Sequence, residues 1–355
     1  KLGASKKIGI IENGSLTKNA KTKILATPIL KINKKIYQII LQGLCRELSA
    51  WPPALAAAGL GELKALAKSD YDYQIGLLPL FFGQAQNLEI DSKIRPLIIK
   101  LGQANFYLWL AYKIYDNLLD NEGENILLPI ANLAFKNFLT IYQNLSLGVK
   151  WDKFFSRLLV DLENYNYQEL KNSQNYLKNS ILMRPPRGAT RHGAEFRNLH
   201  EKSLAHALGP LAILIYQGHR PNDKEFKKIL NFFRGYLNAR QLDDDLHDWP
   251  NDLGRGRINS VGYYILKSGQ QKKFNLKTDL KILKKIFFKQ ALGPISQKLI
   301  KLINSAESAL HGSNLIKQPE YLKQFLEPLK ASVKKAESEH KELNLLLRDY
   351  KKLCS

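Results

Sequence analysis

The chain has 355 residues, and its 54 lysines and arginines outnumber 32 aspartates and glutamates, which leaves a formal net charge of +22. Hydrophobic residues make up 45% of the sequence, so a sizeable core can form and wholesale disorder is excluded. The two cysteines exclude a disulfide scaffold, and as free thiols they predict a reducing, cytoplasmic setting. The basic surplus favours anionic partners, although lysines spread along a whole chain are also typical of solvated faces.

Residues 1–31 are predicted to form a basic arm, in which Asn13-Gly14 is typical of a tight turn. Residues 32–355 are predicted to form one all-helical domain, because apolar residues recur there at intervals of three and four. The longest uncharged stretch, 203–219, is shorter than the ~20 apolar residues of a membrane span. The sequence therefore predicts an all-α protein without a transmembrane helix.

The first acidic pair closes the apolar helical run NFYLWLAYKIYDNLLD. The spacing of Asp116 and Asp120 puts both carboxylates on one helix face, about 6 Å apart along the axis. Phe106, Trp109 and Tyr112 precede the pair and are expected to line an apolar cavity beneath it. The alternative is that the pair is only the polar end of a buried helix.

An irregular basic island, 184–193, is rich in Pro, Gly and Arg and is predicted to be a loop between helices. Further along the chain, Pro210 has no N–H for the carbonyl of His206, so a helix running through this point must kink or break. A free carbonyl there would stabilise a cation over an apolar cavity, although an ordinary helix break is the simpler interpretation. We interpret His206 as a core histidine whose hydrogen bonds are satisfied.

The second acidic cluster places five aspartates between Asp243 and Asp252. Asp244, Asp248 and Asp252 fall on one helical stripe, with Gln241 about a turn before them. Like charges on one face cost free energy unless a cation compensates them, and carboxylate oxygens suit Mg²⁺. The alternative is a solvated acidic face near a helix end.

Basic residues are expected to bind a diphosphate beside this magnesium site. Arg240, Arg255 and Arg257 flank the second cluster, and Lys202 opens the helical run KSLAHALGP. Two acidic helices that face each other across a bundle would hold Mg²⁺, which takes one or two carboxylates together with phosphate oxygens and water.

The ordered acidic pair on a helical background resembles the class I isoprenoid synthase superfamily over roughly residues 70 to 265. The stretch 116–120 is similar to its first aspartate-rich motif, with Asn117 in the second position, and 244–248 is similar to the second. Gln241 stands where prenyl diphosphate synthases have a Gln, and Gly256-Arg257-Ile258 resembles the turn of squalene and phytoene synthases. LGQANFYLWLAYKIYDNLLDNEG and RQLDDDLHDWPNDLGRG are similar to bacterial class 1 isoprenoid biosynthesis enzymes.

The resemblance implies a helical bundle with a central apolar cavity and a Mg²⁺-dependent enzyme that ionises an allylic prenyl diphosphate. Its implied catalytic residues are Asp116, Asp120, Asp244 and Asp248, and these four are joined as metal ligands by Asp245 and Asp252. Its implied diphosphate-binding residues are Lys202, Arg240, Gln241, Arg255 and Arg257. The sequence departs from chain-elongating enzymes after Asp120, where Asn121-Glu-Gly-Glu124 stands in place of an Arg pair.

Ionisation is expected to release pyrophosphate and to be followed by cyclisation or prenyl coupling. A head-to-head prenyltransferase of the squalene or phytoene type and a chain-elongating prenyl diphosphate synthase remain alternatives. So does a non-catalytic basic protein that binds an anionic membrane or nucleic acid, although no nucleic acid is expected for an enzyme of this kind. A homodimer and a peripheral contact between an anionic membrane and Lys-rich segments such as LKILKKIFF also stay open.

Overall fold

The computed structural model describes residues 28–70, 72–119, 123–184, 196, 198–269 and 271–353. Nearly all of them are helical, which confirms the all-α class. The α-helices are α1 Pro28–Ser49, α2 Pro53–Ser69, α3 Gln74–Ala85, α4 Ile94–Leu119, α5 Leu128–Asn144, α6 Val149–Tyr176, α7 Leu208–Tyr216, α8 Lys224–Gly254, α9 Ser260–Ser268, α10 Leu280–Ile286, α11 Leu292–His311, α12 Glu320–Lys323 and α13 Glu327–Leu353. None of the helices in this described part of the chain is both long and apolar enough to cross a membrane.

Short 3₁₀ turns and one π-helical turn lie between some of these helices. Single 3₁₀ turns lie at Asn125–Leu127, Leu199–Lys202 and Leu204–Ala207, and a π-helical turn at Phe287–Ala291 joins α10 to α11. Pro210 lies at the third position of α7, where a missing N–H costs no helical bond, so the chain breaks before Pro210 instead of kinking at it.

A small antiparallel sheet that the sequence did not predict lies beside the bundle. Its strands are β1 Leu177–Lys178, β2 Ile181–Met183 and β3 Lys273–Asn275, in the order β1-β2-β3. Leu182 pairs with Leu177 on one side and with Phe274 on the other. Strands of two and three residues are too short to show an alternating pattern in the sequence.

Helix α4 is the central element, and most of its apolar residues between Leu97 and Ile114 are buried. It packs against α1, α3 and α5, while α8 packs along α11. A methyl group on Gly102 would lie 2.6 Å from the carbonyl oxygen of Gly76, so α4 and α3 approach with backbone nearly in contact. These crossings hold the end of α4 and the middle of α8 around a common space.

A buried carboxylate sets the start of α3. Asp70 accepts hydrogen bonds from the backbone N–H groups of Ile75 (2.9 Å) and Gly76 (3.2 Å) and from the hydroxyl of Tyr37 (3.0 Å). The two backbone bonds pair N–H groups in the first turn of α3 that have no acceptor within the helix. The bond from the Tyr37 hydroxyl connects this helix start to α1. Burial raises the pKa of Asp70, partly offset by these three donors.

Two expectations fall largely outside the described residues. The basic arm and its Asn13-Gly14 turn lie there, since the described chain begins within α1 at Pro28. Residues 185–193 of the predicted basic loop also lie there, although Arg184 is described and its backbone N–H donates to the carbonyl of Lys272 (2.9 Å).

Candidate active site

A cavity of about 410 Å³ lies between α4, α6, α8 and the two 3₁₀ turns before α7. Its lining is mixed. Apolar side chains such as Leu108, Leu162 and Leu237 form part of the wall, and the polar residues of the lining include Asp116, Lys202, Arg240, Gln241 and Asp244. A space with both linings can hold a molecule that has a charged head and an apolar tail.

The structure brings one carboxylate from each acidic cluster to this cavity. Asp116 lies in the last turn of α4, which ends at Leu119, and Asp244 lies in the second half of α8. Asp120 lies outside the described residues. More than a hundred residues of chain separate the two acids, so only the packing of the bundle makes them neighbours of one space.

Asp244 lies in a strongly acidic environment at the cavity wall. Burial among protein atoms raises its pKa to about 6, Arg240 opposes the rise, and Asp243, Asp245 and Asp248 add to it. The carboxylate nevertheless remains accessible from the cavity. An accessible carboxylate with an excess of negative charge around it is suited to bind a cation.

Asp245 is less available to bind a cation, because its carboxylate oxygens already accept hydrogen bonds. One oxygen accepts from the side-chain amide of Gln241 (2.9 Å), and the other accepts from the backbone N–H of Ser260 (3.0 Å) and from its hydroxyl. The backbone carbonyl of Asp245 also accepts from the amide of Asn259 (3.1 Å). Asp245 therefore fastens α8 to the start of α9.

Asp248 and Asp252 follow along α8 but do not line the cavity. Asp248 is exposed one turn beyond Asp244. Asp252 accepts a hydrogen bond from the amide of Asn259 (2.7 Å), and burial is the main cause that raises its pKa to about 6. Asp245, Asp248 and Glu169 also raise the pKa of Asp252, so this end of α8 carries repelling negative charge.

Lys202 supplies positive charge between three acidic helices. Its ammonium group lies 3.1 Å from a carboxylate oxygen of Glu169 on α6, and both side chains are largely buried. The pKa of Lys202 is raised by Glu169 first, and by Asp116 and Asp245 as well, so the lysine stays charged. Glu169 was missed in the sequence, where one acid among many polar residues of α6 carries no signal.

Arg240 lies deeper in the cavity beside two rings. Its guanidinium donates to the side-chain oxygen of Gln74 (3.0 Å) and lies 5.4 Å from the ring centre of Trp109. Trp109 in turn stacks on His206, with ring centres 4.4 Å apart. Two of the three aromatic residues predicted to line the cavity do so, namely Trp109 and Tyr112. The third, Phe106, is fully buried against Tyr37.

The other two predicted diphosphate-binding residues lie in the turn after α8. The backbone N–H of Arg255 donates to the carbonyl of Asn251 (3.0 Å), and that of Arg257 donates to the carbonyl of Asp252 (2.8 Å). Neither arginine is among the residues that line the cavity. Lys113, which the sequence did not single out, does line it and pairs with Glu62 (3.3 Å).

The donor set of this cavity fits magnesium in part. Asp116 and Asp244 offer hard oxygen ligands at one space, and Mg²⁺ commonly takes one or two carboxylates with phosphate oxygens and water. Within the described residues, no three His, Cys, Asp or Glu side chains come close enough together to hold a metal ion. The described residues thus offer two candidate carboxylate ligands and no closed cage.

Comparison with solved structures supports the expected all-helical fold. A solved structure of a geranylgeranyl pyrophosphate synthetase from the archaeon Geoglobus acetivorans superposes with a TM-score of 0.62, covering 86% of this chain and 98% of that one. The two sequences are 13% identical, so the similarity is one of fold. No family model and no curated protein matches the sequence.

Proposed function

We propose that this chain is a Mg²⁺-dependent isoprenoid synthase that ionises an allylic prenyl diphosphate and releases pyrophosphate. The observation that carries the proposal is the mixed cavity, where Asp116 and Asp244 meet Lys202 and Arg240 above an apolar interior. Cyclisation of the cation or its coupling to a second prenyl group follows ionisation.

The residues of the cavity divide into two roles. Asp116 and Asp244 would hold magnesium, with Asp248 as a further ligand one turn beyond Asp244 on α8. Asp120 remains a further ligand on the basis of its spacing in the sequence. When bound, magnesium would neutralise the charge that develops on the departing diphosphate. Lys202, Arg240 and Gln241 bind the diphosphate oxygens, and we assign Asp245 and Asp252 to the scaffold because their oxygens accept hydrogen bonds from Ser260, Gln241 and Asn259.

The interior of the cavity suits the prenyl chain. Leu108, Leu162 and Leu237 contact an apolar tail and exclude water. Lys202 and Arg240 bind the negatively charged diphosphate at the polar part of the lining.

The fold leaves the kind of isoprenoid chemistry open between lyase and transferase. The similar archaeal protein is a geranylgeranyl pyrophosphate synthetase, which favours a prenyltransferase. The Asn121-Glu-Gly-Glu124 sequence, with no arginine after the first acidic motif, favours an enzyme that does not elongate with isopentenyl diphosphate. A head-to-head prenyltransferase satisfies both observations, whereas a cyclase satisfies only the second.

Pyrophosphate release tests the proposal directly. The purified chain is incubated with geranyl, farnesyl or geranylgeranyl diphosphate, with and without isopentenyl diphosphate, in Mg²⁺ or in excess chelator. We expect Mg²⁺-dependent release of pyrophosphate, and extraction of the organic products separates cyclic, coupled and elongated species. No release from any substrate would contradict the proposal, and steeply salt-sensitive binding to nucleic acid or anionic vesicles would then identify a non-catalytic basic protein.

A further inference from the structure

A row of three flat side chains lies at the inner end of the cavity. The guanidinium of Arg240 lies 5.4 Å from the ring centre of Trp109, and Trp109 stacks on His206. Together with Leu237, these side chains line both the cavity and a small space of about 20 Å³ behind it. Nδ1 of His206 and Oδ1 of the neighbouring Asn105 have no hydrogen-bond partner in the protein. The interpretation of His206 as a satisfied core histidine is therefore wrong.

Gln74, the first residue of α3, binds the arginine end of this row. Its Oε1 accepts a hydrogen bond from Nη1 of Arg240 (3.0 Å), and its Nε2 donates to the hydroxyl of Tyr236 on α8. The orientation of the amide follows from chemistry, because arginine has only donors and the amide oxygen must face it. Tyr236 also forms a hydrogen bond with Arg240. The three side chains thus bind one another in a closed ring.

Gln74 is separated from the cavity by the arginine that it binds. It lines the small space but not the cavity, whereas Arg240 lines both. Burial lowers the pKa of Arg240, but neighbours led by Tyr236 and Asp244 raise it by more, so the guanidinium stays charged. Any effect of Gln74 on an anion in the cavity must therefore pass through the position of Arg240.

Asp244 is a competing partner for the same guanidinium. Arg240 and Asp244 are four residues apart on α8, a spacing at which arginine and aspartate side chains can pair. Their charges already interact, since Arg240 opposes the rise in the pKa of Asp244. An arginine paired with Asp244 would occupy a carboxylate that is suited to a cation and would give up donors that could bind a phosphate group.

We infer that Gln74 is a positioning residue, which holds Arg240 against Trp109 and keeps it from pairing with Asp244, so that Arg240 is available to the diphosphate. The inference rests on the proposed function and adds to its diphosphate site a residue from outside the cavity. A guanidinium already fixed by Gln74 and Tyr236 loses little conformational freedom when it binds an anion, and such preorganisation favours tight binding.

Titration calorimetry with inorganic pyrophosphate in saturating Mg²⁺, together with steady-state kinetics, tests the inference. Gln74→Leu keeps the approximate volume and removes the acceptor. We expect the Kd for pyrophosphate and the KM for the allylic diphosphate to rise by about tenfold while kcat changes by less than about threefold, as for a loss of uniform binding. Tyr236→Phe removes one hydroxyl and should shift Kd and KM in the same direction by less. Gln143→Leu, an exposed substitution near the end of α5, should change none of these quantities.

A double variant separates positioning from a merely structural role. In an Arg240→Met background, Gln74→Leu should leave the Kd for pyrophosphate unchanged within about twofold, because Gln74 acts only through Arg240. Additive effects, or wild-type Kd and KM in Gln74→Leu, overturn the inference and leave the synthase proposal standing. Absence of both pyrophosphate binding and pyrophosphate release in the wild type overturns the synthase proposal and the inference with it. If Gln74→Leu fails to fold, the same cycle with Tyr236→Phe decides.

Discussion

At the residue scale, chemically identical aspartates have different surroundings. Asp244 faces the cavity, and Asp245, the next residue, is 5% exposed with its oxygens bonded to Gln241 and Ser260. A helix turns by about 100° per residue, so adjacent acids cannot face the same space. The same residue type therefore faces the cavity at one position and packs against the next helix at the following one.

Neutralising either cavity carboxylate should abolish turnover. Asp116→Asn or Asp244→Asn keeps side-chain volume and removes a metal ligand, so we expect pyrophosphate release to fall by at least about a hundredfold. Circular dichroism should show an unchanged fold. Asp152→Asn, on the exposed start of α6, is the matched control and should keep nearly full activity. Near-normal turnover in either cavity variant would contradict the assignment.

Asp252 allows the scaffold role to be tested by pH. Burial raises its folded pKa to about 6, above the 3.8 of an exposed carboxyl, so ionisation of Asp252 destabilises the folded chain above that window. This penalty is complete above about pH 6 and disappears as the pH falls towards 4. Asp252→Asn retains an acceptor for Asn259 and should raise the free energy of unfolding by about 1–2 kcal/mol at pH 7.5.

The measurement for Asp252→Asn is urea denaturation of the variant and the wild type in excess chelator at pH 7.5 and pH 4. The difference in the free energy of unfolding should vanish at pH 4, where the wild-type carboxyl is protonated in the folded state. A variant less stable than the wild type at pH 7.5 would contradict the assigned environment of Asp252.

At the element scale, the site depends on how closely the helices approach. Asp116 sits at the end of α4, and α4 is held by its crossing with α3, where Gly102 faces the backbone of Gly76. A methyl group there would lie 2.6 Å from the Gly76 carbonyl oxygen and 2.5 Å from Ile40 of α1. The position of Asp116 is thus set partly by a glycine about four turns away.

Gly102→Ala should destabilise the chain by about 2–3 kcal/mol, because the added methyl forces α3 and α4 apart. Gly61→Ala is the control, since an added methyl at Gly61 in α2 meets no atom within 4 Å. That variant should be unchanged or up to about 1 kcal/mol more stable, as expected for glycine replaced by alanine inside a helix. Thermal or urea denaturation measures both, and equal effects would contradict the proposed close crossing.

At the scale of the whole molecule, the excess lysines lie at the surface, whereas the apolar side chains beside them pack into the core. In the segment LKILKKIFF, Leu283 is fully buried and Phe287 is 7% exposed, while Ile282 is 38% exposed. Phe287 also contacts Trp249 of α8, with ring centres 5.3 Å apart. The apolar face that a membrane-lying helix needs is therefore largely used by the core, and the lysines remain at the surface.

Binding to anionic vesicles should accordingly be weak and purely electrostatic. We expect some sedimentation with phosphatidylglycerol vesicles at low salt and almost none at physiological ionic strength, where charges are screened within about 8 Å. Vesicles of neutral lipid serve as the control and should bind nothing at either salt concentration. Binding that persists at high salt would show that apolar side chains insert into the bilayer.

The sequence alone determined the helical class and the two acidic helices, because periodicity and spacing are local properties of a chain. The faces of α4 and α8 that carry Asp116 and Asp244 follow from residue spacing within each helix. The same reasoning could not separate Asp245 and Asp252 from the ligand set, since their partners Ser260 and Asn259 come from the next helix and its N-cap.

Only the tertiary structure decided which residues share the cavity. The pairing of Lys202 with Glu169, the exclusion of Arg255 and Arg257 from the lining, and the unpaired atoms of Asn105 and His206 all depend on contacts between distant segments. A helix pattern specifies which side chains turn inward, but the inward neighbour is set by packing of the whole bundle. The residue type and helical spacing of the acids are thus local properties of the sequence, and their assembly into one site is a property of the fold.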